Sequence, residues 1–139
     1  MDLITNRTEA DVLLGNEKGC YGYADLNRVE QAVAELCALA ARLDIYPNLT
    51  TKTDWGLPGA FSPGTWPTAE QMGRYLGNVH ALCDAFSLEV NLPGTMSHLA
   101  YAGANAIEKA LLSAHVRVQG ILNTYQYSGE CYAGEENSL

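Results

Sequence analysis

The sequence predicts an all-α fold, a three-helix bundle, on three observations. Apolar residues recur at three- and four-residue steps within 25–43, 68–86 and 101–125. Two of these stretches open on a capping residue, Asp25 and Thr68. The segments between them carry the prolines and many of the glycines. A short N-terminal helix, a long Trp-containing loop and an extended C-terminal arm complete the expected architecture. The chain has 139 residues, which suits one domain with a proper core. The expected division is a helical bundle over 1–126 and an acidic arm over 127–139.

Residues 5–14 read as the short helix, with Thr8 as N-cap and Gly15-Asn16 as its stop. The first long helix carries the stripe Leu26, Val29, Val33, Leu36, Cys37, Ala40 and Leu43. Glu30 and Glu35 fall off that stripe and do not share a face, so both read as solvated charge. Residues 44–67 hold Pro47, Pro58 and Pro63 with Gly56, Gly59 and Gly64, which excludes a continuous helix. A connection of this length tends to be functional or partly structured.

The second long helix starts at Thr68, with Gln71 as the expected capping-box partner. Its stripe is Met72, Tyr75, Leu76, Val79, Leu82, Cys83 and Phe86. Gly73 and Gly77 sit one turn apart on another face and suggest close approach of a neighbouring backbone. The third helix carries Ala104, Ile107, Leu111, Ala114, Val118, Ile121 or Leu122, and Tyr125, with Leu112 and Val116 beside them.

Charge excludes several function classes. The formal net charge is -8, and the eight basic residues lie scattered along the chain. Phosphate backbones and anionic membrane surfaces are bound by clustered Lys and Arg, so neither nucleic acid nor membrane is an expected partner. No apolar run approaches the roughly 20 residues of a bilayer span, and the first residues lack the pattern of a secretory signal. Charged residues are only 17%, which hints at surface covered by a partner.

No candidate catalytic, cofactor or metal site emerges. His80, His98 and His115 match no ligand spacing. Cys20, Cys37, Cys83 and Cys131 form no C-x-x-C pair. Reduced structural thiols are expected, with a Cys20–Cys131 disulfide as the alternative. The chain therefore reads as non-enzymatic. Trp55, Phe61 and Trp66 in the long connection form the more interesting group. They either cap the open end of the bundle or contact a glycan or a protein partner. Tyr125, Tyr127 and Tyr132 either anchor an interface or belong to a loose terminus.

Six segments together carry a family resemblance: ITNRTEADV (4–12), YADLNRVEQAVAEL (23–36), TTKTDW (50–55), PTAEQMGRYLGNV (67–79), LAYAGANAIEKALL (99–112) and YSGECYAGE (127–135). In this order they resemble small proteins of phages and prophages of Firmicutes, encoded among tail and fibre genes. The resemblance covers nearly the whole chain. It implies a virion structural or adaptor protein at the tail, baseplate or fibre, assembled in the host bacterial cytoplasm. Other phage structural proteins and further copies of the chain are the partners it implies. The alternative function is a carbohydrate- or receptor-binding module that uses the loop aromatics.

Overall fold

A computed structural model describes residues 3–16, 18–19, 21–55 and 68–138, with side chains described as far as Thr124. The described residues hold four helices and no strand: α1 (Glu9–Leu14), α2 (Tyr23–Ala41), α3 (Ala69–Ala85) and α4 (Tyr101–Ser138). The long helices α2, α3 and α4 each pack on the other two, giving the expected all-α bundle.

Local chemistry sets the helix ends. Thr8 caps α1 as expected: its hydroxyl accepts from the Asp11 N–H, and the Asp11 carboxylate accepts from the Thr8 N–H at 2.9 Å. The Asn16 amide and the Thr8 backbone together hold the Asp11 carboxyl down at about 2. The start of α2 corrects the expectation. The N-cap is Gly22, and Asp25 sits a turn inside, its carboxylate accepting the Gly22 N–H at 2.8 Å. Thr68 caps α3 through the Gln71 N–H at 3.1 Å. Gln71 does not reciprocate, because its Oε1 has no partner.

Both α2 and α3 end in a Schellman turn without glycine. Ile45 N–H bonds the Ala40 carbonyl and Asp44 N–H bonds that of Ala41; Leu88 and Ser87 do the same to Cys83 and Asp84. Asp44 and Ser87 hold the left-handed position, with φ of 59° and 55°. The residues that follow, Ile45 and Leu88, pack against the core.

The stripes meet in one interior. Val29, Val33, Leu36, Val79, Leu82, Ile107, Leu111 and Val118 are fully buried, each contributing roughly 1.5–3 kcal/mol by leaving water. Leu122, not Ile121, completes the stripe on α4, and Cys37, Leu43 and Met72 are half-buried at its edges. Cys37 and Cys83 are free thiols, as expected. Cys20 and the side chain of Cys131 lie outside the described residues.

Two further expectations are corrected. Among the described residues, a Cβ placed on Gly73 or Gly77 would meet nothing within 4 Å, so no described backbone approaches there. Residues 127–138 continue α4 as helix and do not form an extended arm. No proline stands between Tyr101 and Ser138, so a helix nucleated in the core can propagate through that stretch.

Candidate functional site: interior ion networks and the surfaces they frame

The charged residues that look scattered in sequence converge inside the fold. Glu108 on α4 is 0% exposed and is surrounded by donors. Arg28 on α2 grips it with two hydrogen bonds, Nε at 2.6 Å and Nη2 at 2.9 Å. Arg7 Nη2 reaches it at 2.5 Å, and the Ile4 N–H at 3.1 Å. Asp25 accepts from both guanidinium groups, so two cations face two anions. Burial opposes the charge on Arg28, yet its bonds to Glu108 and Asp25 outweigh that and raise its pKa. Asn105 then pairs both backbone groups of Arg7, at 3.0 and 2.9 Å. The segment before α1 is thereby tied to α2 and α4.

A second network repeats the design on the other connection. Glu30 on α2 is 1% exposed. It accepts from Arg74 of α3 at 2.7 Å, from Trp55 Nε1 at 2.5 Å and from the Lys52 N–H at 3.0 Å. Asn27 pairs both backbone groups of Trp55, at 2.7 and 2.8 Å, as Asn105 does for Arg7. Arg74 and Asn78 of α3 both donate to the Thr50 carbonyl. Residues 50–55 are thus held against α2 and α3.

Hydrogen-bonded Tyr21 and Tyr75 hydroxyls add a polar contact in the same interior. Burial raises the pKa of both phenols, and the Glu108 charge raises them further. The Cys83 thiol is pushed up to about 11 by burial and by Asp84, and burial raises Cys37 as well. A general acid or base must reach a substrate. The Glu30 and Glu108 carboxylates are sealed from water and occupied by donors, which corrects the reading of Glu30 as solvated charge.

Sequence periodicity missed these glutamates, although a signal was present. Glu30 lies one residue after Val29, four after Leu26 and three before Val33. Glu108 stands in the same relation to Ile107, Ala104 and Leu111. Both positions border the buried stripe, where a carboxylate needs paired donors.

The loop and tail aromatics are only partly placed. Trp55 is 1% exposed. It is a core residue and no glycan platform, and this corrects its candidacy as a contact residue. Phe61 and Trp66 lie outside the described residues. The backbone of Tyr125, Tyr127 and Tyr132 is helical within α4, and their side chains lie outside the description. Lys52 lies over the Trp55 ring at 5.0 Å.

Two kinds of open surface remain. Beside α3 lies a groove of about 900 Å³ whose lining includes Leu26, Met72, Leu76, Met96 and Leu99. Gly73 and Gly77 widen it, and His80 stands in its lining. Elsewhere apolar side chains face water directly: Leu13 and Leu14 on α1, and Val116 on α4 at 65% exposure. Among the described residues no group of His, Cys, Asp and Glu could hold a metal ion, and no helix is long and apolar enough to cross a membrane. No family model, curated protein or solved structure matches the chain.

Proposed function

We propose that the chain is a non-enzymatic structural or adaptor subunit of a phage or prophage particle, placed at the tail, baseplate or fibre and acting through protein–protein contacts. The observation that carries this reading is the division of chemistry between inside and outside. The most elaborate polar groups, Glu30 and Glu108 with their arginines, are consumed in tying connections to the bundle. The outer surface offers apolar side chains and an apolar groove, the chemistry of contact with another protein.

The resemblance supports the same reading. Five of the segments that carry it supply the network residues: Arg7 from 4–12, Asp25, Arg28 and Glu30 from 23–36, Trp55 from 50–55, Arg74 from 67–79, and Glu108 from 99–112. The segments that carry the resemblance thus also hold residues that fix this fold. The carbohydrate-binding alternative loses one of its three ring platforms with the burial of Trp55.

The test is composition of the particle. Virions purified from an induced lysogen that encodes the chain should contain it at a fixed ratio to the major tail protein by quantitative mass spectrometry. A chain found only in the soluble lysate, and absent from purified particles, overturns the proposal.

A further inference from the structure

The segment before α1 lies on the bundle as a bound peptide would. Its contacts come from α2, α4 and Tyr21, and they read two separate things. The first is backbone. Asn105 accepts the Arg7 N–H at 3.0 Å and donates to the Arg7 carbonyl at 2.9 Å, and Glu108 Oε1 accepts the Ile4 N–H at 3.1 Å. The second is a guanidinium. Arg7 Nη2 meets Asp25 at 3.1 Å and Glu108 at 2.5 Å, and the guanidinium carbon lies 5.5 Å from the centre of the Tyr21 ring. Asn6 and Thr8 on either side are exposed. The bundle thus recognises an arginine and the backbone around it, and leaves the flanking side chains in water.

Little else holds the segment. Leu3 is half-buried against the core, and α1 buries none of its residues. From Thr8 to Gly19 the described chain bonds to itself. Asp11 takes the Thr8 N–H, the Asn16 amide and Lys18, and Asn16 takes the Gly19 N–H. None of these bonds is lost if the segment leaves the bundle.

The groups that would stay behind keep a partner of their own. Arg28 bonds Glu108 through Nε at 2.6 Å and Nη2 at 2.9 Å, and Asp25 through Nη2. Without Arg7, one cation still stands between two anions, and Arg28 is partly open to water. Renewed hydration of Arg7 and of the carboxylates offsets much of the attraction given up.

We propose that this face of α2 and α4 is a binding site for an arginine-bearing peptide segment, filled in cis by residues 3–8 as an exchangeable plug. The proposal goes beyond the virion reading and does not rest on it, since it concerns the purified chain alone. The ligand carries an arginine and a backbone N–H three residues before it. Lysine does not replace that arginine, because a point-like ammonium lacks the planar fork that spans Asp25 and Glu108.

The full chain carrying Arg7→Ala tests this, with the acetylated and amidated peptide of residues 3–8 as probe and the Asn105 side-chain amide as NMR reporter. The peptide should bind saturably. Its dissociation constant should be at least about tenfold below that for the wild-type chain, where the tethered segment competes at roughly millimolar effective concentration. A peptide carrying Arg7→Lys should bind at least about tenfold more weakly, and one carrying Asn6→Ala as well as the native sequence. Hydrogen exchange on the wild-type chain is a second measure that needs no variant. The Ile4 and Arg7 N–H groups should exchange at least about 100-fold faster than those of Val79 and Leu111, through release of the segment from an intact bundle. A folded Arg7→Ala chain that takes up no peptide overturns the proposal. So does equal binding of the lysine peptide, or exchange of Ile4 and Arg7 only at the rate of global unfolding.

Discussion

Arg7 and Glu108 lie 101 positions apart in sequence and meet at 2.5 Å, both out of water. The contact ties the segment before α1 to the third turn of the longest helix. Arg28 approaches the same carboxylate from α2, so one buried anion joins three parts of the fold. Desolvating such ions is expensive, and the arrangement holds only because nearly every lone pair and N–H has a partner. Arg7 Nε is an exception.

Removing Glu108 should therefore be among the most damaging single changes. Glu108→Leu leaves the buried Arg7 and the half-buried Arg28 with Asp25 as their remaining anion. A loss of about 3–5 kcal/mol in urea unfolding is expected. Arg7→Leu combined with Glu108→Leu should cost less than the sum of the two, with a coupling of about 1–3 kcal/mol. Additive single effects would mean that the two side chains do not interact.

Trp55 gives a second prediction, because the fold uses both its ring and its N–H. Trp55→Ala should cost about 3–5 kcal/mol from the vacated volume. Trp55→Phe keeps most of the ring but leaves Glu30 short of a donor, at about 1–3 kcal/mol. Thermal or denaturant unfolding measures both. A Trp55→Ala chain as stable as wild type would place the ring at the surface.

Alkaline pH provides the third. Cys83, Tyr21 and Tyr75 all have pKa values raised by burial. Each is favoured neutral in the fold and ionises more readily when unfolded. Their stabilising contribution is complete below the unfolded pKa values, from 9.0 for the thiol and 10.0 for the phenols. It is lost as pH rises above them, for Cys83 between 9.0 and about 11. Unfolding free energy should fall across that window. Cys83→Ala should flatten the first part of the decline, and Tyr75→Phe the later part. At neutral pH a thiol reagent should label Cys83 only after denaturation.

The bundle was legible because its apolar residues repeat with a helix's period, and burial follows period. Val33, Leu82 and Leu111 are buried as their spacing requires. The networks were not legible, because a charged residue at the border of a stripe looks the same whether it meets water or an arginine. Arg74 stands 44 positions from Glu30, and no local pattern links them. The helical course of 127–138 was obscured by Gly129 and Gly134, whose low propensity resembles that of a loop. Whether Trp55 caps the bundle or meets a partner stays open in the sequence because its neighbours are turn formers; its burial depends on Asn27 and Glu30 of another element.

Ser87 offers a change that should stabilise the chain. It occupies the left-handed position after α3, with φ 55°, where a Cβ crowds the carbonyl oxygen. The two bonds of its turn run from backbone N–H groups of Ser87 and Leu88, so glycine would keep both. Relief of the left-handed strain, less the greater freedom of glycine in the unfolded chain, leaves a gain of about 0.5–1 kcal/mol. For a chain of this size that corresponds to a melting temperature raised by about 2–4 °C. Ser87→Ala is the control. It removes the hydroxyl but keeps the Cβ, and should give no gain. Equal effects of the two substitutions in calorimetry would show that the backbone after Phe86 is unstrained.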